Sequence, residues 1–235
     1  MESTFSNSHY GQADRHLVAV DCIIFGYEAN CLQLLLFKRK VEPSAGKWSL
    51  LGRFVQHQEG VTDAAMRVVF ELTGLKDIFL EQLASFGHVN RDEGARVISI
   101  AHFALIRKDD YDVELLESHG ASWHDLNNLP ELVFDHREMV DMALNSLRQK
   151  SRYLPLAFQL LPPKFTIPQL RALYETVFQT PFDRWNFRKR MINSGLLIKL
   201  EEKDKSASKK GAHYFQFDWD TYHKQQSEGI SPLFL

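Results

Sequence analysis

Residues 52–75 read Gly52-Arg53-Phe54-Val55-Gln56-His57-Gln58-Glu59-Gly60-Val61-Thr62-Asp63-Ala64-Ala65-Met66-Arg67-Val68-Val69-Phe70-Glu71-Leu72-Thr73-Gly74-Leu75. Thr62 to Leu72 has helical spacing, with Thr62 and Asp63 available as caps and Gly74 as the stop. Val68 and Leu72 lie four residues apart and so share one helix face, while Glu71 takes a neighbouring bearing. Glu59 sits in the loop before the helix. Trp48-Ser49-Leu50-Leu51 reads as a short strand just ahead, so the stretch is a strand–loop–helix unit.

The flanking segments are β-friendly. Leu17 to Tyr27 and Cys31 to Arg39 are apolar runs joined by Glu28-Ala29-Asn30, a hairpin signal. Phe79 to His88 and Val97 to Ile106 read as further strands. Ser122-Trp123 leads into a Leu-Asn-Asn-Leu-Pro turn, then a helix from about His136 to Gln149. Strands with helices packed on them predict an α/β/α sandwich with a mixed sheet over residues 16–150.

The seam falls at Lys150-Ser151-Arg152-Tyr153-Leu154-Pro155. Beyond it, Leu156 to Leu161 reads as a helix stopped by Pro162-Pro163. Thr166 reads as the N-cap of a helix from Pro168 to Phe178, and Thr180-Pro181-Phe182-Asp183 opens a third from Arg184 to Asn193. Leu196 to Leu200 and His213 to Phe217 alternate as strands around a charged loop, Glu201 to Gly211. Three helices, a strand, a basic loop and a strand give the order of a winged helix-turn-helix, placed at 151–225. Residues 1–15 then form a flexible N-terminus and 226–235 a C-terminal tail, and the whole chain is α+β.

Charge divides along the same seam. From Arg152 onward there are 13 Lys and Arg against 8 Asp and Glu, which leaves 15 basic against 22 acidic residues before it. A basic module behind an acidic one marks the second as the nucleic-acid partner. Its third helix crowds Arg184, Asn186, Arg188, Lys189 and Arg190 among Trp185, Phe187 and Met191, apolar residues able to anchor it. Arg reads guanine and Asn reads adenine by bidentate bonds in the major groove. Lys205, Lys209 and Lys210 of the loop, with Lys203 beside them, suit phosphate contacts that weaken as salt rises.

The remaining composition narrows the setting. Apolar residues make up 44% of the 235 positions, enough for real cores. No apolar run approaches the roughly 18 residues of a membrane span. Met1 to Arg15 lacks the apolar segment of a secretory signal. Cys22 and Cys31 sit in apolar stretches without metal-type spacing and read as buried thiols of a reducing cytoplasm.

The stretch from Arg53 to Leu75 resembles the Nudix box, the loop–helix–loop with which Nudix hydrolases bind a divalent metal and cut nucleoside diphosphates. In the resembling frame Glu59, Arg67, Val69, Glu71, Gly74 and Leu75 fall on pattern, whereas Arg53, Val68 and Leu72 replace a Gly and two Glu. Followed by a winged helix, the chain resembles the Nudix-related transcriptional regulators from about Val20 to Phe217. Gly46-Lys47-Trp48, Arg91-Asp92, Phe134-Asp135-His136 and Asp183-Arg184-Trp185-Asn186-Phe187-Arg188 match in order and spacing. The resemblance implies a homodimer that binds palindromic operator DNA and releases it when a metabolite enters the Nudix pocket.

The departures set the finer expectations. Two of three metal-binding carboxylates are gone, so no catalytic residue, no metal ligand and no cofactor is assigned, and the expectation is a sensor rather than an enzyme. Arg53 and the altered run Asp92-Glu93-Gly94-Ala95-Arg96 weaken a diphosphate site. The favoured reading is therefore a cytoplasmic repressor of L-arabinose utilisation. The alternatives are an ADP-ribose-responsive regulator of NAD metabolism, an active Nudix hydrolase, or a binding scaffold without a DNA role. By resemblance, Asp21, Lys38, Trp48, Arg53, Glu59, Arg67, Glu71, His88, Asn90, Arg96 and His102 line the effector cleft.

Overall fold

The computed structural model describes residues 13–76, 78–108, 113–206, 210–230 and 234. The first unit is built on a seven-stranded mixed sheet. Its spine is β1 (Leu17–Glu28), which runs parallel to β6 (Val97–Arg107) along its whole length. On its other edge β1 pairs with two strands in turn, β4 (Leu51–Phe54) near its start and β2 (Cys31–Lys38) near its end. β3 (Trp48–Ser49) and β7 (Ala121–Asp125) flank β2, and β5 (Glu81–Phe86) lies beyond β6. The hairpin between β1 and β2 turns through Ala29 and Asn30, both at positive φ.

Alternation along β1 divides its side chains between two cores. Val20, Cys22 and Ile24 face α1 (Val61–Thr73), together with Ala64, Ala65, Val68, Val69 and Leu72. Ile23 and Phe25 face the opposite layer, where α3 (His136–Lys150) inserts Met139, Val140, Ala143 and Leu147. A short α2 (Val113–Ser118) precedes β7. Asp21 shares the α3 side with Ile23, and that placement seeds the site described below.

The second unit contains β8 (Phe165–Thr166), α4 (Ile167–Phe178), α5 (Arg184–Asn193), β9 (Leu197–Asp204), β10 (Ala212–Phe217) and α6 (Trp219–Ser227). Its three strands run β8-β10-β9, and the hairpin of β9 and β10 is the wing. Thr166 caps α4 in a reciprocal pair with Gln169. The cluster around Met139 and Leu147 continues through Phe158, Tyr174 and Phe217, so one apolar core joins the two units. Arg148 on α3 donates to the Val177 carbonyl at 2.8 Å and to Gln179 Oε1 at 2.8 Å, tying α3 to the end of α4.

Several sequence expectations change. Gly60 caps α1 and donates its N–H to Asp63, so Thr62 is not a cap. Pro155–Leu160 forms a 3-10 helix rather than an α-helix, too short between its prolines to run on. Glu201 to Asp204 belongs to β9, because Lys203 and Asp204 pair with His213 and Ala212, and the wing's connecting loop is correspondingly shorter. β7, α2, β8 and α6 carry periodicity too short or too weak to read in advance. Cys22 is buried, and burial raises its pKa; Cys31 is only half-buried, with its pKa raised to about 11 by partial burial and by Asp125. No helix among the described residues is long and apolar enough to cross a membrane.

Candidate ligand cavity and nucleic-acid interface

Asp21 is 5% exposed and held on three sides. Ser99 Oγ donates to its Oδ2 at 2.6 Å, and Arg91 Nη2 lies 3.4 Å from the same oxygen. Arg91 then forks onto Asp135, with Nε to Oδ2 at 2.8 Å and Nη2 to Oδ1 at 2.7 Å. Burial opposes the Arg91 charge, but Asp135 and Asp21 outweigh it and raise its pKa. On the third side, His136 Nε2 approaches Asp21 Oδ1 at 3.4 Å. The Leu50 N–H donates to His136 Nδ1 at 3.1 Å, which leaves the ring proton on Nε2, the nitrogen on the Asp21 side. Burial, the largest influence, lowers the His136 pKa, against the pull of Asp21.

This network floors a cavity of about 410 Å³ lined by Asp21, Arg39, Gly52, Arg53, Phe54 and Phe134 among others. An adjoining depression of about 260 Å³ shares Arg39, Gly52 and Arg53 and extends to Glu71. Arg39 donates to the Pro43 carbonyl at 2.9 Å, and its guanidinium lies 5.0 Å from the Phe134 ring centre. Arg53 reaches sideways to Glu71 at 3.4 Å and stays half exposed. It borders the cavity without filling it. Cations, a fixed carboxylate and two aromatic faces meet here, at a volume within the roughly 300–1,000 Å³ of small-molecule sites.

The box carboxylates are engaged elsewhere. Arg67 forks onto Glu59 at 2.8 and 2.6 Å, reaches Glu71 at 3.2 Å and donates to the Phe54 carbonyl at 3.1 Å. The Arg67 hydrogen bonds, then the Gln56 N–H, hold the Glu59 pKa at about 2 against an ordinary 4.5. Glu59 likewise raises the Arg67 pKa. Val68 and Leu72 are packed in the core beneath α1. The Nudix fold implies a divalent cation at this box, and this donor set does not fit one. Glu59 and Glu71 are shared with arginines, and the two positions that would converge on the ion are buried and apolar.

The Glu59–Arg67 clamp has a pH signature. Its folded pKa is depressed, so its contribution to stability is full above about pH 4.5 and is lost as pH falls through about 2. Glu59→Gln is expected to remove that acid-limb dependence, as read from unfolding midpoints across pH 2–6. An unchanged acid limb in the variant would show that the clamp adds nothing.

The proposed cleft residues therefore scatter. Asp21 and Arg53 line the main cavity, and Glu71 joins Arg53 at its extension. His88 and Asn90 line a separate depression of about 690 Å³ that backs onto Arg91 and Asp135. Glu59 and Arg67 bind each other. Arg96 Nη1 is turned to the carbonyls of His88 and Val97. Lys38 lies over the Trp48 ring at 5.3 Å, and Trp48 packs on His124, so both belong to the β2–β3 edge instead of the cavity. His102 is 1% exposed on the α1 side of the sheet, where burial lowers its pKa. Arg39, Phe134, Asp135 and His136 were missed as site residues. The Phe134-Asp135-His136 run carried the only signal, as a matching segment.

The nucleic-acid face is more compact. Phe187 and Met191 bury one side of α5, and Arg184, Asn186, Arg188, Lys189 and Arg190 are all exposed. Asp183 caps the helix by accepting the Asn186 N–H at 2.8 Å. Trp185 is 78% exposed and does not anchor the helix, a correction to its sequence reading. Lys205 and Lys210 are exposed on the wing, whereas Lys209 lies outside the described residues.

Comparison with known proteins places both units. The family model described as NUDIX domain matches residues 15–143, and the one described as NrtR DNA-binding winged helix domain matches residues 157–217. An ADPR responsive transcriptional repressor NtrR of Acinetobacter baylyi is 34% identical over 212 residues, 88% of this chain and 84% of that protein. An ADP-ribose pyrophosphatase of Methanocaldococcus jannaschii is 38% identical over 126 residues, 52% of this chain and 70% of that protein. The structure of Shewanella oneidensis NrtR complexed with a 27mer DNA matches with a TM-score of 0.76 at 26% identity, covering 88% of this chain and 95% of that one. With a Nudix domain followed by an NrtR-type winged helix, the chain belongs to the NrtR family of Nudix-related transcriptional regulators.

Proposed function

We propose that this protein is a cytoplasmic, homodimeric repressor that holds operator DNA through α5 and the wing and releases it when ADP-ribose fills the Nudix cavity. One observation carries the effector: Arg39 and Arg53 stand with Phe54 and Phe134 around about 410 Å³ that opens into a further 260 Å³. A dinucleotide-like ligand uses every part of that set, with arginines for the diphosphate and aromatic faces for the purine. A single pentose ring would leave most of the space empty and offer the arginines no charge. The L-arabinose expectation rested on family analogy and on Arg53 and the altered run at 92–96 weakening a diphosphate site, yet Arg53 turns to Glu71 and leaves the cavity open. The relative that covers most of the chain is described as ADPR responsive, which supports the same choice.

Catalysis is not part of this reading. Val68 and Leu72 offer no oxygen to a metal, and without a Lewis acid this chemistry loses most of its rate. The likeness to a pyrophosphatase keeps hydrolysis as the second reading. The test is to select genomic fragments with the purified protein and elute them with ADP-ribose or L-arabinose. Release of a palindromic site by ADP-ribose is expected. Release by L-arabinose alone, or retention under both, would contradict the proposal.

A further inference from the structure

Helix geometry orients α5. At about 100° per residue, Phe187 and Met191 define the buried side, and the opposite bearing falls on Lys189, with Trp185 about 40° from it on the Arg188 side. Arg184 and Arg188 lie to one flank, toward the wing, and Asn186 and Arg190 to the other. The wing-side flank borders a groove of about 740 Å³ lined by Ile167, Arg171, Arg184, Trp185, Arg188 and His213. Trp185 thus stands between that cationic groove and the outermost line of the helix, 78% exposed. The indole is a large apolar face left in water beside arginines on the outward side of the helix, and a partner surface that covered it would gain from its burial.

The partner's chemistry follows from the side chain. Indole has one N–H donor, which meets at most one phosphate oxygen, whereas its broad apolar face calls for an apolar contact. Arg184 and Arg188 beside it are the groups suited to phosphate or guanine. In the major groove the one strongly apolar feature of a base edge is the 5-methyl group of thymine. Residues near the N-terminus of a recognition helix are those that meet base edges, and Trp185 is the second residue of α5.

We infer that Trp185 is a specificity-determining residue that packs its indole on a thymine methyl in each operator half-site. The assignment rests on the DNA-binding reading above, and the test separates the two. Full-length wild type, Trp185→Ala and Trp185→Phe would be titrated with the selected operator, with the same operator carrying deoxyuridine for thymidine, and with an unrelated duplex. Trp185→Ala is expected to lose about tenfold on the operator but less than about twofold on the unrelated duplex. Deoxyuridine should cost wild type a similar factor and cost Trp185→Ala almost nothing more, while Trp185→Phe keeps most of the affinity. Equal losses on both duplexes, or full sensitivity of Trp185→Ala to deoxyuridine, would overturn the methyl contact. Wild type without preference for any duplex would overturn the DNA reading itself, and this assignment with it.

Discussion

Arg91→Ala is expected to lower the stability of the protein by about 3–5 kcal/mol, as for other buried ion pairs that lose one partner. The Arg91 side chain is only 3% exposed and holds Asp21 and Asp135, at 8% and 15%. Removing it leaves two poorly hydrated carboxylates without their cation. Asp21 retains the Ser99 hydrogen bond and the His136 ring beside it, whereas Asp135 loses both arms of its fork. Arg91→Lys keeps the charge but not the planar fork, and should fall between the two. Urea midpoints with unchanged m-values would report this. A loss below about 1 kcal/mol, the scale of a surface pair, would show that water reaches the network and that it is no rigid floor.

Gly52→Ala is the second large effect, and its cause is space rather than backbone freedom. Gly52 lies opposite Asp21 in the β1–β4 ladder, and an added Cβ would stand 2.0 Å from Asp21 Oδ1. Asp21 cannot step aside without leaving Ser99, Arg91 or His136. Overpacking of this kind costs about 1–3 kcal/mol, with the strained network in addition. Because the same carboxylate floors the cavity, ligand affinity should fall together with thermal stability. Gly195→Ala is a useful contrast. That glycine has φ +70 and nothing within 4 Å of its added Cβ, so it should show backbone strain alone and leave the ligand site intact. Retained affinity in Gly52→Ala would place the ligand away from Asp21.

Much of the fold was legible because its signals are local. The apolar runs at 17–27 and 31–39, the N-cap at Thr166, and the apolar pair Phe187 and Met191 are all readable within a few residues. The site was less legible because its contacts are long-range. Arg91 and Asp135 are 44 residues apart, and Asp21 and Ser99 are 78. Nothing in either local pattern announces the partner. Arg53 illustrates the limit from the other side. Its identity was plain, but whether it filled the cavity depended on Glu71 standing within reach across α1. Trp185 misled because an aromatic residue between basic ones reads as an anchor, while the helix phase that exposes it is set by Phe187 and Met191 packing on the core.

The proposed function requires a Nudix domain that senses ADP-ribose without cutting it. The most direct measurement is calorimetric titration of ADP-ribose into the full-length protein, with and without Mg²⁺, followed by analysis of the recovered nucleotide. Saturable binding that needs no Mg²⁺ and returns ADP-ribose intact is the expected result. Mg²⁺-dependent conversion to AMP and ribose 5-phosphate, or binding of L-arabinose in place of ADP-ribose, would contradict it.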